Sequence, residues 1–327
     1  MDNFLHDILI ENFKSIQSCE INNCNRINLF IGRPNVGKSN IIEALSLFTL
    51  PFIRENTLKK LSQLIRVESE TELFCNGNIK APAIIKLDKG YCQVNYKPKE
   101  GLTIVMDFLD NLYICMVNAK LNVRSNENIE FDSPIKRYSF NSTVSYKHSH
   151  AKYLIPPYGS NLLNIIENYE DVKQEVLALF KEYNLEIAFD KGSQTIKVIQ
   201  SKSNGDIFLI PYNSVADTLQ RIIFFKAAIA SNDNSILLFE EPEAHAFPPY
   251  MAKFTQDMIN KKDNQFFIAT HSPYILNDLL ENAREELSVY MVDYQDKQTV
   301  VKHLSDEQLH DIYQYGVDLF TNSESFI

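Results

Sequence analysis

Eight residues, Gly32-Arg33-Pro34-Asn35-Val36-Gly37-Lys38-Ser39, constrain this chain more than any other part of it. They fit G-x-x-x-x-G-K-[ST] without a mismatch, and their flanks have the periodicity such a loop needs. Ile27–Ile31 (INLFI) reads as a short buried strand entering the loop. Residues 40–50 (NIIEALSLFTL) carry apolar side chains at helical spacing, with Pro51 marking the expected end of the helix. A loop of this form turns its backbone N–H groups and the following helix N-terminus toward phosphate oxygens. Lys38 is then expected to reach the β and γ oxygens of a nucleotide, and Ser39 to offer a hydroxyl to Mg²⁺. Asn40, the next residue, completes the candidate ATP-binding set.

A second motif supplies acid. Residues 235–243 (SILLFEEPE) form an apolar strand that delivers carboxylates at its carboxyl end, where open α/β sheets place their ligands. Glu240 is expected to hold the Mg²⁺ shell, and Glu241 to orient the water that attacks the γ-phosphate. A third strand, QFFIA, runs into Thr270-His271-Ser272-Pro273, which sets His271 at another strand's carboxyl end as a candidate γ-phosphate sensor. The catalytic candidates are thus Glu241 and His271, and the metal candidates Ser39 and Glu240.

The rest of the chain reads as scaffold. Residues 9–16 (LIENFKSI) suit a strand and its turn, and residues 81–117 alternate in the manner of an antiparallel β subdomain inserted after the first helix. Residues 120–150 are polar and weakly periodic, as in a loop or contact surface, and residues 162–183 suit one or two amphipathic helices. From 214 onward helix and strand alternate (214–231, 235–239, 249–261, 265–269, 273–281, 287–293), which predicts a mainly parallel sheet. The expected organisation is one head spanning 1–327, with a core from 1–50 and 214–303 and an inserted β and helical subdomain at 51–213.

With 45% apolar and 23% charged residues and only nine glycines, the chain is expected to fold throughout. Five cysteines, Cys19, Cys24, Cys75, Cys92 and Cys115, show no CxxC spacing and sit among apolar residues, which predicts buried thiols. A start without a signal-peptide pattern and the lack of an apolar run of about 18 residues predict a cytoplasmic protein with no membrane partner. A net charge of −10 disfavours a surface devoted to duplex DNA, whose sequence-independent affinity comes from Lys and Arg. Nucleic acid is a possible partner, and a protein the favoured one.

Taken in order, IENFKSI, GRPNVGKSNIIEAL, LLFEEPEAH and ATHSPYILN resemble the ABC-type ATPase heads of the RecF/SMC superfamily, particularly those of OLD-family nucleases and of phage-defence ATPases such as Septu PtuA and the PARIS ATPase. The resemblance implies a P-loop NTPase fold of class α/β, ATP and Mg²⁺ as ligands, and Asn12-Phe13-Lys14 lying beside the nucleotide, with Lys14 a cofactor-binding residue. It also implies that the helix beginning at Ser214 occupies the place of the signature helix, which meets the ATP of an opposite protomer in a dimer or larger homo-oligomer. Here the family's Ser-Gly pair is Ser214-Val215, with no glycine to admit close backbone approach. A second departure is Glu240, where many relatives carry Asp.

About fifty residues follow Asn277, fewer than the nuclease domain of OLD proteins requires, and 51–213 contains no long heptad array for coiled-coil arms. These features favour a regulatory ATPase of an antiviral system that controls a separately encoded nuclease or toxin. Two other readings are a RecF-like repair ATPase that binds DNA and an ATP-binding scaffold without turnover. The first predicts a basic groove. Glu241 argues against the second.

Overall fold

In the computed structural model, which describes residues 3–56, 58–125, 132–201, 207–322 and 326, alternating side chains form the first hairpin. β1 (Ile8–Phe13) and β2 (Ile16–Ile21) pair antiparallel, Phe13 opposite Ile16, across the turn Lys14-Ser15. β3 (Ile27–Ile31) has no exposed face, and its one polar side chain, Asn28, is satisfied by the carbonyls of Asn25 at 2.7 Å and Phe266 at 3.1 Å. α1 (Lys38–Ser46) starts two residues earlier than the expected helix and stops before its expected end at 50. A 3₁₀ segment, Leu47–Glu55, carries Pro51 inside it, so the proline does not end the helical stretch. In an α-helix the Pro51 ring would collide with the carbonyl of residue 47, and the tighter winding keeps the buried LFTLPFI run continuous.

β4 (Ala83–Leu87), β5 (Gly90–Lys97), β6 (Gly101–Phe108), β7 (Asn111–Val117) and β8 (Val123–Ser125) follow as an antiparallel meander. They join the first hairpin in one sheet of order β2-β1-β4-β5-β6-β7-β8, so the expected inserted strands share their sheet with the N-terminus. The polar stretch 120–150 lies partly, at 126–131, outside the described residues. Residues within it form β9 (Ile135–Tyr138), a fully buried strand, where a loop was expected.

α2 (Leu162–Asn168) and α3 (Glu170–Glu182) confirm a pair of helices at 162–183, and β10 (Glu186–Asp190), β11 (Thr195–Ser201) and β12 (Ile207–Pro211) form a three-stranded antiparallel sheet. α4 (Asp217–Ala230) begins three residues after Ser214, which instead closes a 3₁₀ turn, Tyr212–Ser214. Val215 is extended, with ψ 158°, and Ala216 is non-helical, with ψ 129°, which breaks the helix expected from 214. β13 (Ile236–Glu240), α5 (Pro248–Asn260), β14 (Gln265–Ala269), α6 (Pro273–Asn282), β15 (Leu287–Gln295), β16 (Gln298–His303) and α7 (Asp306–Tyr315) complete the chain. The core sheet runs β16-β15-β3-β14-β13-β9, and the four strands β15, β3, β14 and β13 are parallel, as the alternation predicts.

Two compact units result: Met1–Arg137, Asn234–Glu241 and Lys262–Ile327 make the first, and Tyr138–Asp233 and Pro242–Lys261 the second. Residues 51–213 are therefore divided between them. In the first, Phe30, Phe267 and Tyr290 stack within the parallel sheet, each fully buried ring contributing about 2 kcal/mol. In the second, Lys226 of α4 ties α3 to α5 through Glu175 at 2.6 Å and Asp257 at 2.9 Å. All five cysteines are free and buried, and burial pushes the Cys19 and Cys24 thiols up to about 12. Among the described residues no helix is long and apolar enough to cross a membrane.

Candidate active site

β3 delivers its carboxyl end to the loop Gly32 to Ser39, and the loop hands the chain to α1. Gly37 caps that helix with φ 107°, a conformation that favours glycine, and a Cβ there would run into the side chains of Thr299 and Ser15. Gly32 is packed as closely, with the Val292 carbonyl where a Cβ would stand. Asn35 takes φ 63° at the apex, while Arg33, Pro34 and Asn35 are exposed. Thr299 braces the loop from β16, donating its hydroxyl to the Val36 carbonyl at 2.9 Å. Ser15 meets the Thr299 hydroxyl at 2.6 Å and accepts from the Asn40 amide at 2.6 Å. Arg33 reaches Asp293 at 3.3 Å.

Lys38 is 5% exposed, and its ammonium donates to the Gly32 and Arg33 carbonyls, both at 2.7 Å. Its charge thus lies folded over the loop that a phosphate would enter. Ser39 is partly exposed beside it on the first turn of α1.

The parallel register brings the other candidates to the same edge of the sheet. Glu240 stands opposite Ala269, and Ala269 opposite Phe30, so β13, β14 and β3 end together. The Glu241 N–H donates to the Ala269 carbonyl at 2.8 Å, and Glu241 takes φ 43°, which bends the chain as it leaves β13. His271 follows β14 and lies 3.7 Å from the Glu241 carboxylate. Ser272 caps α6 through its hydroxyl and the Ile275 N–H. Partial burial, then the nearby Lys38 charge, lower the His271 pKa from its ordinary value, against a smaller opposing pull from Glu241. The imidazole is therefore neutral near pH 7, with one nitrogen able to donate and one to accept.

Three charged residues that sequence reasoning missed complete the cluster. Glu240 is clamped by two guanidiniums: Arg137 donates to one oxygen at 2.6 Å and Arg66 to the other at 2.8 Å. Arg66 also donates to Glu43 at 2.8 Å, and Glu43, fully buried on α1, accepts from Lys14 at 2.5 Å. Lys14, expected beside the nucleotide, is thus engaged with an α1 carboxylate and the Arg66 carbonyl, at 3.1 Å from the latter. Arg137 is anchored further by the Leu64 carbonyl. The available sequence signals were small: one acid, Glu43, in an apolar helix, and two cations, Lys136 and Arg137, in a strand-like run.

Ser39 and Glu240 offer only oxygen donors, the hard chemistry that Mg²⁺ takes with phosphate oxygens and retained waters, so the donor set fits that ion. No group of three or more His, Cys, Asp or Glu among the described residues is arranged to hold a metal by itself. Mg²⁺ bound beside a substrate phosphate needs only one or two protein ligands. Ser214, the remaining candidate, belongs to the second unit and ends the turn described above.

A family model described as "AAA ATPase domain" matches residues 4–216 and 158–276. No curated protein matches the chain. Among solved structures, the SmcHead bound to the C-winged helix domain of ScpA is similar at 13% identity, over 92% of this chain and 98% of that one, with a TM-score of 0.48. The SMC head domain from Thermotoga maritima is similar at 12% identity, over 92% and 99%, with a TM-score of 0.42. The Smc head domain with an extended coiled coil, bound to the C-terminal domain of ScpA derived from Pyrococcus furiosus, is similar at 12% identity, over 95% and 99%, with a TM-score of 0.46.

Proposed function

We propose that this chain, which belongs to the AAA ATPase domain family and is an α/β P-loop ATPase, uses its nucleotide state to control a separately encoded effector in antiviral defence. The observation that carries the enzymatic part is the common edge where the Gly32 to Ser39 loop, Glu241 and His271 meet, with the last two 3.7 Å apart. ATP enters over the loop, and Lys38 exchanges its two loop carbonyls for β and γ oxygens. Glu241 orients water for in-line attack, and neutral His271 donates to the γ-phosphate and registers its loss. Ser39 and Glu240 would hold Mg²⁺, which would supply positive charge against the phosphate oxygens. With Glu240 holding the ion, Arg66 and Arg137, which now bond its carboxylate, would be free to face phosphate.

The regulatory part is supported by EEPEAH followed by THSP, the motifs that resemble OLD-family, Septu and PARIS ATPases. In this reading two copies of the chain sandwich two ATP molecules, with Ser214 and α4 of one facing the nucleotide of the other. The effector is a nuclease or toxin that reads the assembled state.

Light scattering on a sizing column tests the switch. With Mg²⁺ and a non-hydrolysable ATP analogue the wild-type chain should at least double in mass, and Lys38→Ala should remain at its nucleotide-free mass. Equal masses for the wild type with and without the analogue, when titration shows that it binds, would remove the nucleotide-driven assembly from the account.

A further inference from the structure

The family model ends at residue 276, and Thr299 of β16 lies beyond it. Its side chain is nonetheless one member of a relay that reaches the phosphate loop. Thr299 is fully buried, and its hydroxyl donates to the Val36 carbonyl at 2.9 Å. That commits its one proton, so the Ser15 hydroxyl, 2.6 Å away, donates to it rather than accepts. The Ser15 oxygen in turn accepts from the Asn40 amide at 2.6 Å. The polarity of the relay is therefore fixed, from Asn40 on the first turn of α1 through Ser15 and Thr299 to the loop. The Thr299 N–H donates to the Ser15 carbonyl at 2.9 Å, which holds the two hydroxyls side by side.

In a trans peptide the carbonyl of one residue and the N–H of the next point to opposite sides. The Val36–Gly37 peptide is trans. Thr299 draws the Val36 carbonyl toward β16, which turns the Gly37 N–H away from the relay. No described residue accepts from that N–H. Gly37 is also the N-cap of α1, whose first N–H groups lack intrahelical partners. A phosphate oxygen held in the loop is the acceptor such donors suit. The relay also explains the glycine, since a Cβ at Gly37 would overlap the Thr299 hydroxyl and crowd the Ser15 oxygen.

We propose, on the reading that the Gly32 to Ser39 loop binds ATP, that Thr299 is a positioning residue for the nucleotide. Its hydroxyl sets the Val36–Gly37 peptide so that the Gly37 N–H meets a phosphate oxygen, and Ser15 and Asn40 hold the hydroxyl in place. The brace acts equally before and during hydrolysis, so it governs affinity and leaves the chemical step to Glu241.

Calorimetric titration and steady-state hydrolysis with Mg²⁺ and ATP, on the full chain, test the role. Thr299→Val keeps the side chain's shape and deletes its hydroxyl. Its Kd and KM for ATP should rise about tenfold, the scale of one hydrogen bond, while kcat stays within about twofold of wild type. Thr299→Ser, which retains the hydroxyl, should restore most of the lost affinity. A purely structural role predicts the reverse split, a lower melting temperature and a lower apparent kcat at unchanged KM. Ser15→Ala should raise KM in the same direction but less, and it decides the question if Thr299→Val does not fold. Unchanged KM in Thr299→Val, or a rise in Thr299→Ser as large as in Thr299→Val, would overturn the proposal. Lys38→Ala separates the two readings: lost ATP binding there beside wild-type affinity in Thr299→Val removes the brace alone, whereas retained binding in Lys38→Ala removes the loop assignment beneath it.

Discussion

His271 illustrates how single residues are tuned by their neighbours. Burial and the Lys38 charge lower its pKa, so the folded state binds fewer protons there than the unfolded chain does. The stability this confers is present above the ordinary histidine value and is lost as pH falls through the lowered one. Melting temperature should therefore drop less between pH 7.5 and 5.5 in His271→Gln than in wild type, with His303, also lowered by burial, present in both. An equal drop in the two proteins would mean that His271 is not held neutral. Lys38, Glu241 and His271 were legible in the sequence because their motifs are local: each sits within a few residues of the strand that delivers it. The partners of Glu240 were not, since Arg137 and Arg66 lie 103 and 174 residues away in the chain and meet it only in the folded protein.

At the scale of elements, hydrophobic pattern decided most of the outcome. β3 and β14, INLFI and QFFIA, have no polar face and are buried to the last residue, at the positions the sequence predicts. β9 escaped the same reading because Lys136 and Arg137 look like surface residues, yet the Ser235 hydroxyl at 3.3 Å and Glu240 satisfy them inside. The start of α4 escaped because Val215 continues its apolar spacing, whereas the backbone is extended at Val215 and non-helical at Ala216. α1 does more than offer its N-terminus, since its second turn carries Glu43 against Lys14 and Arg66. Removing one member of a buried ion pair costs roughly 3–5 kcal/mol; Arg66, at 63% exposure, can turn to water, which brings the expectation for Glu43→Gln to about 2 kcal/mol. Urea unfolding checks this, and a change below about 0.5 kcal/mol, the range of ordinary surface substitutions, would show that the network is not structural.

For the whole molecule, net charge bears on the class of partner. A chain of net charge −10 lacks the excess of Lys and Arg on which sequence-independent duplex binding depends. Band shifts across a salt series should give dissociation constants no tighter than about micromolar near physiological salt, the usual range for nonspecific contacts. Nanomolar binding would favour a DNA-directed role over an effector-directed one. The family match settles that the chain is an ATPase, and β3, β13 and β14 converge on the one edge where we place turnover. The most direct test replaces Glu241 by Gln, which keeps the side chain's size and removes only its charge. Measured under single-turnover conditions, Glu241→Gln should bind ATP and Mg²⁺ as wild type does while hydrolysis falls at least ~100-fold, the loss expected with a general base. Hydrolysis at the wild-type rate would contradict the account.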